Sequence, residues 1–374
     1  MFKAIHENKR YDVIDLDPYG SANQFLDAAV QAVSDGGLLC ITCTDMKILA
    51  GGETETNFHK YGTINLSNSP YCHEFALRTV LHTLSVCATR YKRVIIPLVS
   101  CSIDFYVRLF VKVSAKPIET KKAASKTSMV FHCNQCKSYA TETMGKIIMQ
   151  DKNVKYKNSY LPVDSKCNEC KTSLVFAGPF YSDKIHDREF VLEMLETISS
   201  QKFATETRMK GMLTLISEEL SDSLFYYELA TLSKIISCTT PSLKNFKSAL
   251  LNAGYKVSLT HCRKNSIKTD APSAVVWSIL RSYVLLNPVK IKEGSIGEKI
   301  LKNECLFEAN FEKHNEVDAP SMKMRRFQDN PAFWGPMSRA KRAKGETEEV
   351  VPIEGNADEM ESAVGLEIED NKEE

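Results

Sequence analysis

Tyr11-Asp12-Val13-Ile14-Asp15-Leu16-Asp17-Pro18-Tyr19-Gly20 opens a stretch that runs on to Asp45 and decides the fold class. Val13, Ile14 and Leu16 make residues 11–17 a buried strand. Phe25, Ala28, Ala29 and Ala32 then recur at helical spacing, so residues 21–34 read as a helix with Ser21 in place to cap it. Gly36-Gly37 stops that helix, and residues 38–43 form a second strand. Strand, helix, strand in this order points to an open α/β sheet, in which ligands sit beyond the carboxyl ends of the strands. Asp17 and Asp45 both fall at such ends.

Residues 17–20 carry the chemistry. An amino group on a nucleobase is a poor nucleophile, because its lone pair is delocalised into the ring. A carboxylate beside a backbone carbonyl can accept both hydrogens of one NH2 group. Asp17 supplies the carboxylate and Pro18 the carbonyl, with the backbone preset by the proline ring. Tyr19 can stack on a base flipped from its helix, and Gly20 permits the close turn into the following helix. The same four residues also suit an ordinary helix-capping turn. Asp45 ends the second strand on the same edge, where substrate contact and a turn role compete.

Working outward, residues 51–70 are rich in Gly, Asn and Ser and read as a loop. Residues 71–89 read as a long helix. Residues 93–99 and 104–113 read as an antiparallel strand pair, and residues 119–128 as a Lys/Ser/Ala-rich linker. Residues 187–201, 207–220 and 226–237 read as helices. A further helix starts at Thr240-Pro241, with proline at its first position and Gly254 past its end. Residues 255–261 follow as a strand and 270–285 as a last helix. Two short helices and a strand suggest a winged-helix-like segment. On the helix at 71–89, His73 and Glu74 are candidates for a substrate contact or for a satisfied helix surface.

Lys plus Arg number 48 against 47 for Asp plus Glu, so nucleic acid must be met by local basic patches and not by the whole chain. No apolar run is long enough to cross a membrane, and nothing calls for an obligate protein partner. Of 12 cysteines, Cys133-x-x-Cys136 and Cys167-x-x-Cys170 form two close pairs, and the others are scattered as small hydrophobes of a reducing compartment. Two such pairs supply four thiolates for a tetrahedral zinc with no open position, hence a structural one. Four unrelated thiols and a redox dithiol are the alternatives. His132 adjoins the first pair but is not needed as a ligand. Lys152, Lys155 and Lys157, between the pairs, can face RNA.

The stretch Asp17-Pro18-Tyr19-Gly20-Ser21 resembles the motif of the tRNA guanosine-26 dimethyltransferase family. So do residues 26–33, Gly36-Gly37-Leu38-Leu39 and Thr42-Cys43-Thr44-Asp45-Met46. Lys60-Tyr61-Gly62, Cys72-His73-Glu74, Gly178-Pro179, Ile185-His186-Asp187 and Lys268-Thr269-Asp270-Ala271-Pro272 continue it. Arg326-Phe327-Gln328, Asn330-Pro331 and Trp334-Gly335-Pro336 complete it. The resemblance implies an α/β fold: the C-terminal part of a Rossmann-like class I methyltransferase domain at 1–118, then an α+β C-terminal part. That part comprises a linker and zinc-ribbon-like four-cysteine module at 119–182 and a tRNA-binding region with the winged-helix-like segment at 183–320. A basic, then acidic, disordered tail fills 321–374. It also implies S-adenosylmethionine as methyl donor, tRNA as partner, Asp17 as catalytic carboxylate, Pro18 as second acceptor and Tyr19 as the base-contacting aromatic.

The chain departs from the family at two points. Ala22 stands where the motif usually has proline after Ser21, which loosens the turn. No glycine-rich strand-to-helix turn precedes Asp17. Family members carry well over ~100 residues there, on the order of a domain. The donor-binding loop and an acidic ribose contact are therefore expected outside this sequence, and a catalytically silent tRNA-binding chain is the alternative function. An amino-methyltransferase acting on adenine is a third reading, which the C-terminal landmarks disfavour.

Past residue 320, Lys323, Arg325, Arg326, Arg339, Lys341, Arg342 and Lys344 enclose Phe327, Phe333 and Trp334. Arg325 and Arg326 are candidate tRNA contacts. The run at 339–344 suits nuclear import, with cytoplasm also open and a mitochondrial form requiring a presequence. A solvated charged linker is the plain alternative.

Overall fold

The computed structural model describes residues 1–318 except 68, 151, 152, 161, 162 and 202, together with 326, 327, 330 and 335. Its contacts divide into Met1–Asp329 and Asn330–Glu374. Nearly all of the second unit, with the acidic tail and the basic run at 339–344, lies outside the described residues, as does Arg325.

After a short helix α1 (Phe2–His6), β1 (Tyr11–Leu16), α2 (Asn23–Ala32) and β2 (Val33–Cys43) form the expected strand–helix–strand unit. β1 and β2 are parallel, with Ile14 opposite Leu39 and Leu16 opposite Ile41. Next come α3 (Met46–Leu49), α4 (Thr54–Tyr61) and α5 (Cys72–Arg90), then the antiparallel pair β3 (Arg93–Ile103) and β4 (Tyr106–Ala115). The sheet order is β1-β2-β4-β3. Ile14 and Leu16 pack with Leu26 and Val30 of α2, Leu39 and Ile41 of β2, and Leu77, Val80, Leu81 and Leu84 of α5. Burying one such aliphatic side chain stabilises by about 1.5–3 kcal/mol. Alternation along β1 leaves Tyr11 and Val13 on the other face, 45% and 56% exposed, on an edge strand.

Three expectations here are corrected. Gly36-Gly37 does not stop α2, which ends at Ala32, but lies inside β2. Residues 51–70 contain the helix α4, which closes on Gly62 in the left-handed conformation at φ 66°. The helix after the Asp17 turn starts at Asn23, two residues late. Its N-cap is Ala22, and Ser21 Oγ accepts the Asn23 N–H at 3.2 Å instead of capping the helix.

Beyond a 3-10 turn at Glu119–Lys126, β5 (Thr127–His132) runs between β6 (Tyr139–Thr143) and β9 (Val175–Tyr181). β7 (Gly145–Gln150) and β8 (Asn153–Asn158) form a separate two-stranded ribbon. The helices α6 (Arg188–Ser200) and α7 (Glu206–Glu218) cover the outer face of β3, where Val191, Leu195, Ile198 and Ile216 meet Val99 and Cys101. Asp187 caps α6 by accepting from Glu189 and Phe190 N–H.

Then follow β10 (Tyr227–Glu228), α8 (Leu229–Ile235), α9 (Leu243–Asn252), β11 (Val257–Leu259), β12 (Ser266–Thr269), α10 (Ser273–Leu286) and α11 (Ile296–Leu301). The three strands pair in the order β10-β12-β11. The helix expected at 226–237 is thus shortened by a strand at its start. The one expected from Pro241 begins at Leu243 instead, because Ser242 Oγ accepts the Asn245 N–H and acts as cap. No helix among the described residues is long and apolar enough to cross a membrane.

Candidate active site and cysteine cluster

β1 delivers Asp17 to the carboxyl edge of the sheet. Asp17 and Tyr19 are exposed, Tyr19 fully, with Pro18 and Gly20 half-buried between them. The turn is nonetheless fixed. Gly20 N–H donates to Thr44 Oγ1 at 2.8 Å, and Thr44 N–H donates back to the Gly20 carbonyl at 2.9 Å. That pair stitches the end of β1 to the end of β2. Gly20 sits at φ 81° with open space around it, so backbone conformation, not crowding, asks for glycine.

The neighbouring carboxylate, Asp15, is already engaged. Arg108 of β4 grips both its oxygens at 2.8 and 2.7 Å and also donates to Thr42 Oγ1. The hydrogen bonds from Arg108 hold the Asp15 carboxyl below the usual carboxylate range. Asp17 makes no hydrogen bond among the described residues, which leaves its oxygens to solvent or to a ligand.

Asp45 lies at the adjoining strand end, as expected, but its carboxylate is only 7% exposed. It accepts from the Tyr61 hydroxyl at 2.9 and 3.1 Å and lies 3.6 Å from Lys60 Nζ. Burial, with the Asp45 charge adding to it, pushes the Tyr61 phenol well above its ordinary range, so Tyr61 stays a donor. Asn23 at the start of α2 also donates to the Lys60 carbonyl. Asp45 therefore ties α4 to the Asp17 edge.

His73 and Glu74 part company with the candidate substrate contact. Glu74 is fully buried. Its Oε1 accepts from Arg78 at 2.8 and 2.9 Å, from the Phe225 N–H at 3.1 Å and from Lys268 Nζ at 3.1 Å. Lys268 also donates to Glu219 at 2.8 Å, and Glu219 holds His261 Nδ1 at 2.7 Å. A carboxylate so enclosed has no face for a substrate. His73 is half-buried; burial first, then Arg263, lowers its pKa. Sequence reading missed this network, although Lys268 opens one of the family landmarks.

Burial alone would discharge Lys268, but Glu219 and Glu74 outweigh it and raise its pKa above the ordinary lysine value. Removing one partner from such a cluster leaves buried charge uncompensated, at a cost of about 3–5 kcal/mol. Lys268→Met is therefore expected to lower unfolding free energy by that amount in urea titrations. A loss below ~1 kcal/mol would mean the cluster is solvated and unimportant.

The four paired cysteines come together. Their sulfurs all lie within 4.8 Å of one another, and all four residues are buried. The two knuckles repeat one geometry. Cys133 N–H donates to the Ser138 carbonyl and Lys137 N–H to that of Cys133, both at 2.9 Å. Cys167 N–H donates to the Thr172 carbonyl at 2.7 Å and Lys171 N–H to that of Cys167 at 2.9 Å. Lys137 and Lys171 both adopt positive φ, at 62° and 61°. The Trp277 indole N–H donates to Ser138 Oγ at 2.9 Å and anchors the first knuckle to α10. His132 turns away and meets the Tyr71 hydroxyl at 2.9 Å. Arg326 is bound bidentately by Glu218 at 2.7 and 2.8 Å, so its guanidinium is occupied in this state.

The mixed α/β sheet thus presents an Asp-Pro-Tyr-Gly turn at the carboxyl end of its edge strand. The family described as N2,N2-dimethylguanosine tRNA methyltransferase matches residues 1–281, and the chain belongs to that family. The tRNA (guanine(26)-N(2))-dimethyltransferase of Homo sapiens is 44% identical over 351 residues, covering 91% of this chain and 53% of the relative. That of Schizosaccharomyces pombe is 42% identical, with 90% and 64% covered. A mitochondrial one from Saccharomyces cerevisiae is 36% identical, with 91% and 65% covered. The chain thus spans between about half and two thirds of the length of these relatives. Among solved structures, Trm1 from Pyrococcus horikoshii in complex with S-adenosyl-L-methionine shares the fold. Its TM-score is 0.61 and identity 24%, covering 73% of this chain and 67% of that one. The family resemblance read from the sequence landmarks is borne out.

Proposed function

We propose that this chain serves methylation of the 2-amino group of guanosine 26 in tRNA. The observation that carries the reading is the exposed Asp17–Tyr19 turn, clamped by the reciprocal Gly20–Thr44 hydrogen bonds. The Asp17 carboxylate accepts one hydrogen of the guanine amine and the Pro18 carbonyl accepts the other. Electron density is thereby drawn toward nitrogen, and in this reading Asp17 takes the proton released as the N–C bond forms. Two acceptors also suit two rounds, since either can hold the hydrogen left after the first. Tyr19 offers its ring face to the flipped base. S-adenosylmethionine, when bound, would supply an electrophilic methyl group, its methyl–sulfur bond breaking as the N–C bond forms so that the electron pair leaves on the now neutral thioether sulfur.

The four-sulfur cluster fits a tetrahedral zinc in a zinc-ribbon-like module, and four thiolates leave no position for catalysis. The order α7, β10, α8, α9, β11, β12 with sheet order β10-β12-β11 supports a winged-helix-like segment within a tRNA-binding C-terminal region at 183–320. Domain limits at 118, 182 and 320 follow from this reading. The basic run at 339–344 supports a nuclear site of action.

A second reading, a chain that binds tRNA but transfers nothing, draws on the exposed edge strand β1. Nucleoside analysis of tRNA incubated with the protein and S-adenosylmethionine separates the two. N2-methylated guanosine is expected, whereas tRNA binding with no methylated nucleoside favours the second reading.

A further inference from the structure

The ribbon β7–β8 lies in sequence between the two cysteine knuckles, and among the described residues its strands pair with each other and with no further strand. Its register sets Lys146 opposite Lys157 and Ile148 opposite Lys155. Side chains alternate along a strand, so Lys146, Lys155 and Lys157 share one face. Ile147, Met149, Val154 and Tyr156 share the other. Neither strand contains an acidic residue. The root is held firmly. Met144 N–H donates to the Thr127 carbonyl at 2.7 Å, Thr143 and Ser159 hydroxyls meet at 3.2 Å, and Gly145 fits closely against Ala124.

Two lysines directly opposite each other repel, which disfavours the ribbon in isolation. Lys146 has a partner in Glu142 at 2.9 Å, but that pair is solvent-screened. A bridging polyanion would relieve the repulsion. Lys155 and Lys157 lie about 7 Å apart along the strand, so each can reach a separate phosphate of one nucleic-acid strand. With a chain charge of only +1, a backbone contact has to come from such a local stripe.

We propose that the Lys146–Lys155–Lys157 face of this ribbon binds the phosphate backbone of the tRNA. The inference rests on the tRNA reading above and adds a contact surface remote in sequence from Asp17. The test compares the full chain with its K146Q/K155Q/K157Q variant. Binding to an unmodified tRNA transcript is followed by fluorescence anisotropy across a salt series. The variant is expected to bind roughly 10-fold more weakly near physiological salt, and its log–log salt slope to be shallower by about two. Equal affinity and slope, with an unchanged melting temperature, would overturn the assignment. Lysine-dependent binding to phosphatidylserine vesicles with tRNA affinity untouched would overturn it in favour of a membrane surface. Should the parent chain itself fail to bind tRNA, the tRNA reading falls, and the ribbon assignment with it.

Discussion

Asp17→Ala is expected to lower methyl transfer to tRNA by at least ~10²-fold, the lower end for loss of a positioned proton acceptor. The affinity for tRNA should stay within about twofold, because one exposed carboxylate contributes nothing to phosphate contacts. The fold should also be untouched. Asp17 makes no hydrogen bond among the described residues, and the turn it occupies is held by Gly20 and Thr44. Asp15→Ala offers the contrast. That carboxylate is bound by Arg108, and its loss frees a guanidinium that now spans β1, β2 and β4. It should impair stability, with activity following. The two are distinguished by measuring transfer rate, tRNA affinity and melting together. Retained transfer in Asp17→Ala would remove Asp17 from the mechanism.

Under the zinc assignment proposed for the four-cysteine cluster, chelation is expected to lower the melting temperature by roughly 10 °C. Structural zinc sites in small modules contribute on the order of 10 kcal/mol of apparent folding energy. Even about 4 kcal/mol lost would shift melting by ~5 °C in a chain of this size. The cysteines pack in one cluster with Trp277, Ile279, Leu250 and Phe246, so a loosened knuckle opens the apolar core around α9 and α10. Cys133→Ser should reproduce the effect of chelation, and elemental analysis should return one zinc per chain. Unchanged melting after verified metal removal would refute a structural ion.

The first strand and helix were legible because their apolar residues recur with the periods of the elements they form. The cysteine cluster was legible from spacing alone. Helix α4 was not. Its sequence is polar, and it is held by tertiary contacts: Asn57 is buried and donates to the Thr63 carbonyl at 2.7 Å, and Tyr61 reaches Asp45. β10 is two residues long and takes its identity from pairing with β12, which no local pattern announces. Glu74 read as a surface candidate because its partner Lys268 lies 194 positions away. Long-range ion pairs leave no periodic trace. The Asp17 turn was placed correctly at a strand end, but its rigidity comes from Thr44, a residue noted only within a family landmark.

The central claim is that the Asp17 turn grips the exocyclic amine of one guanine. It is tested most directly by offering the protein tRNA with inosine at position 26, which lacks only that amine. The account predicts no methylated nucleoside at that position, with tRNA binding retained. Methyl transfer to the inosine-containing tRNA at the rate seen with guanosine would contradict it.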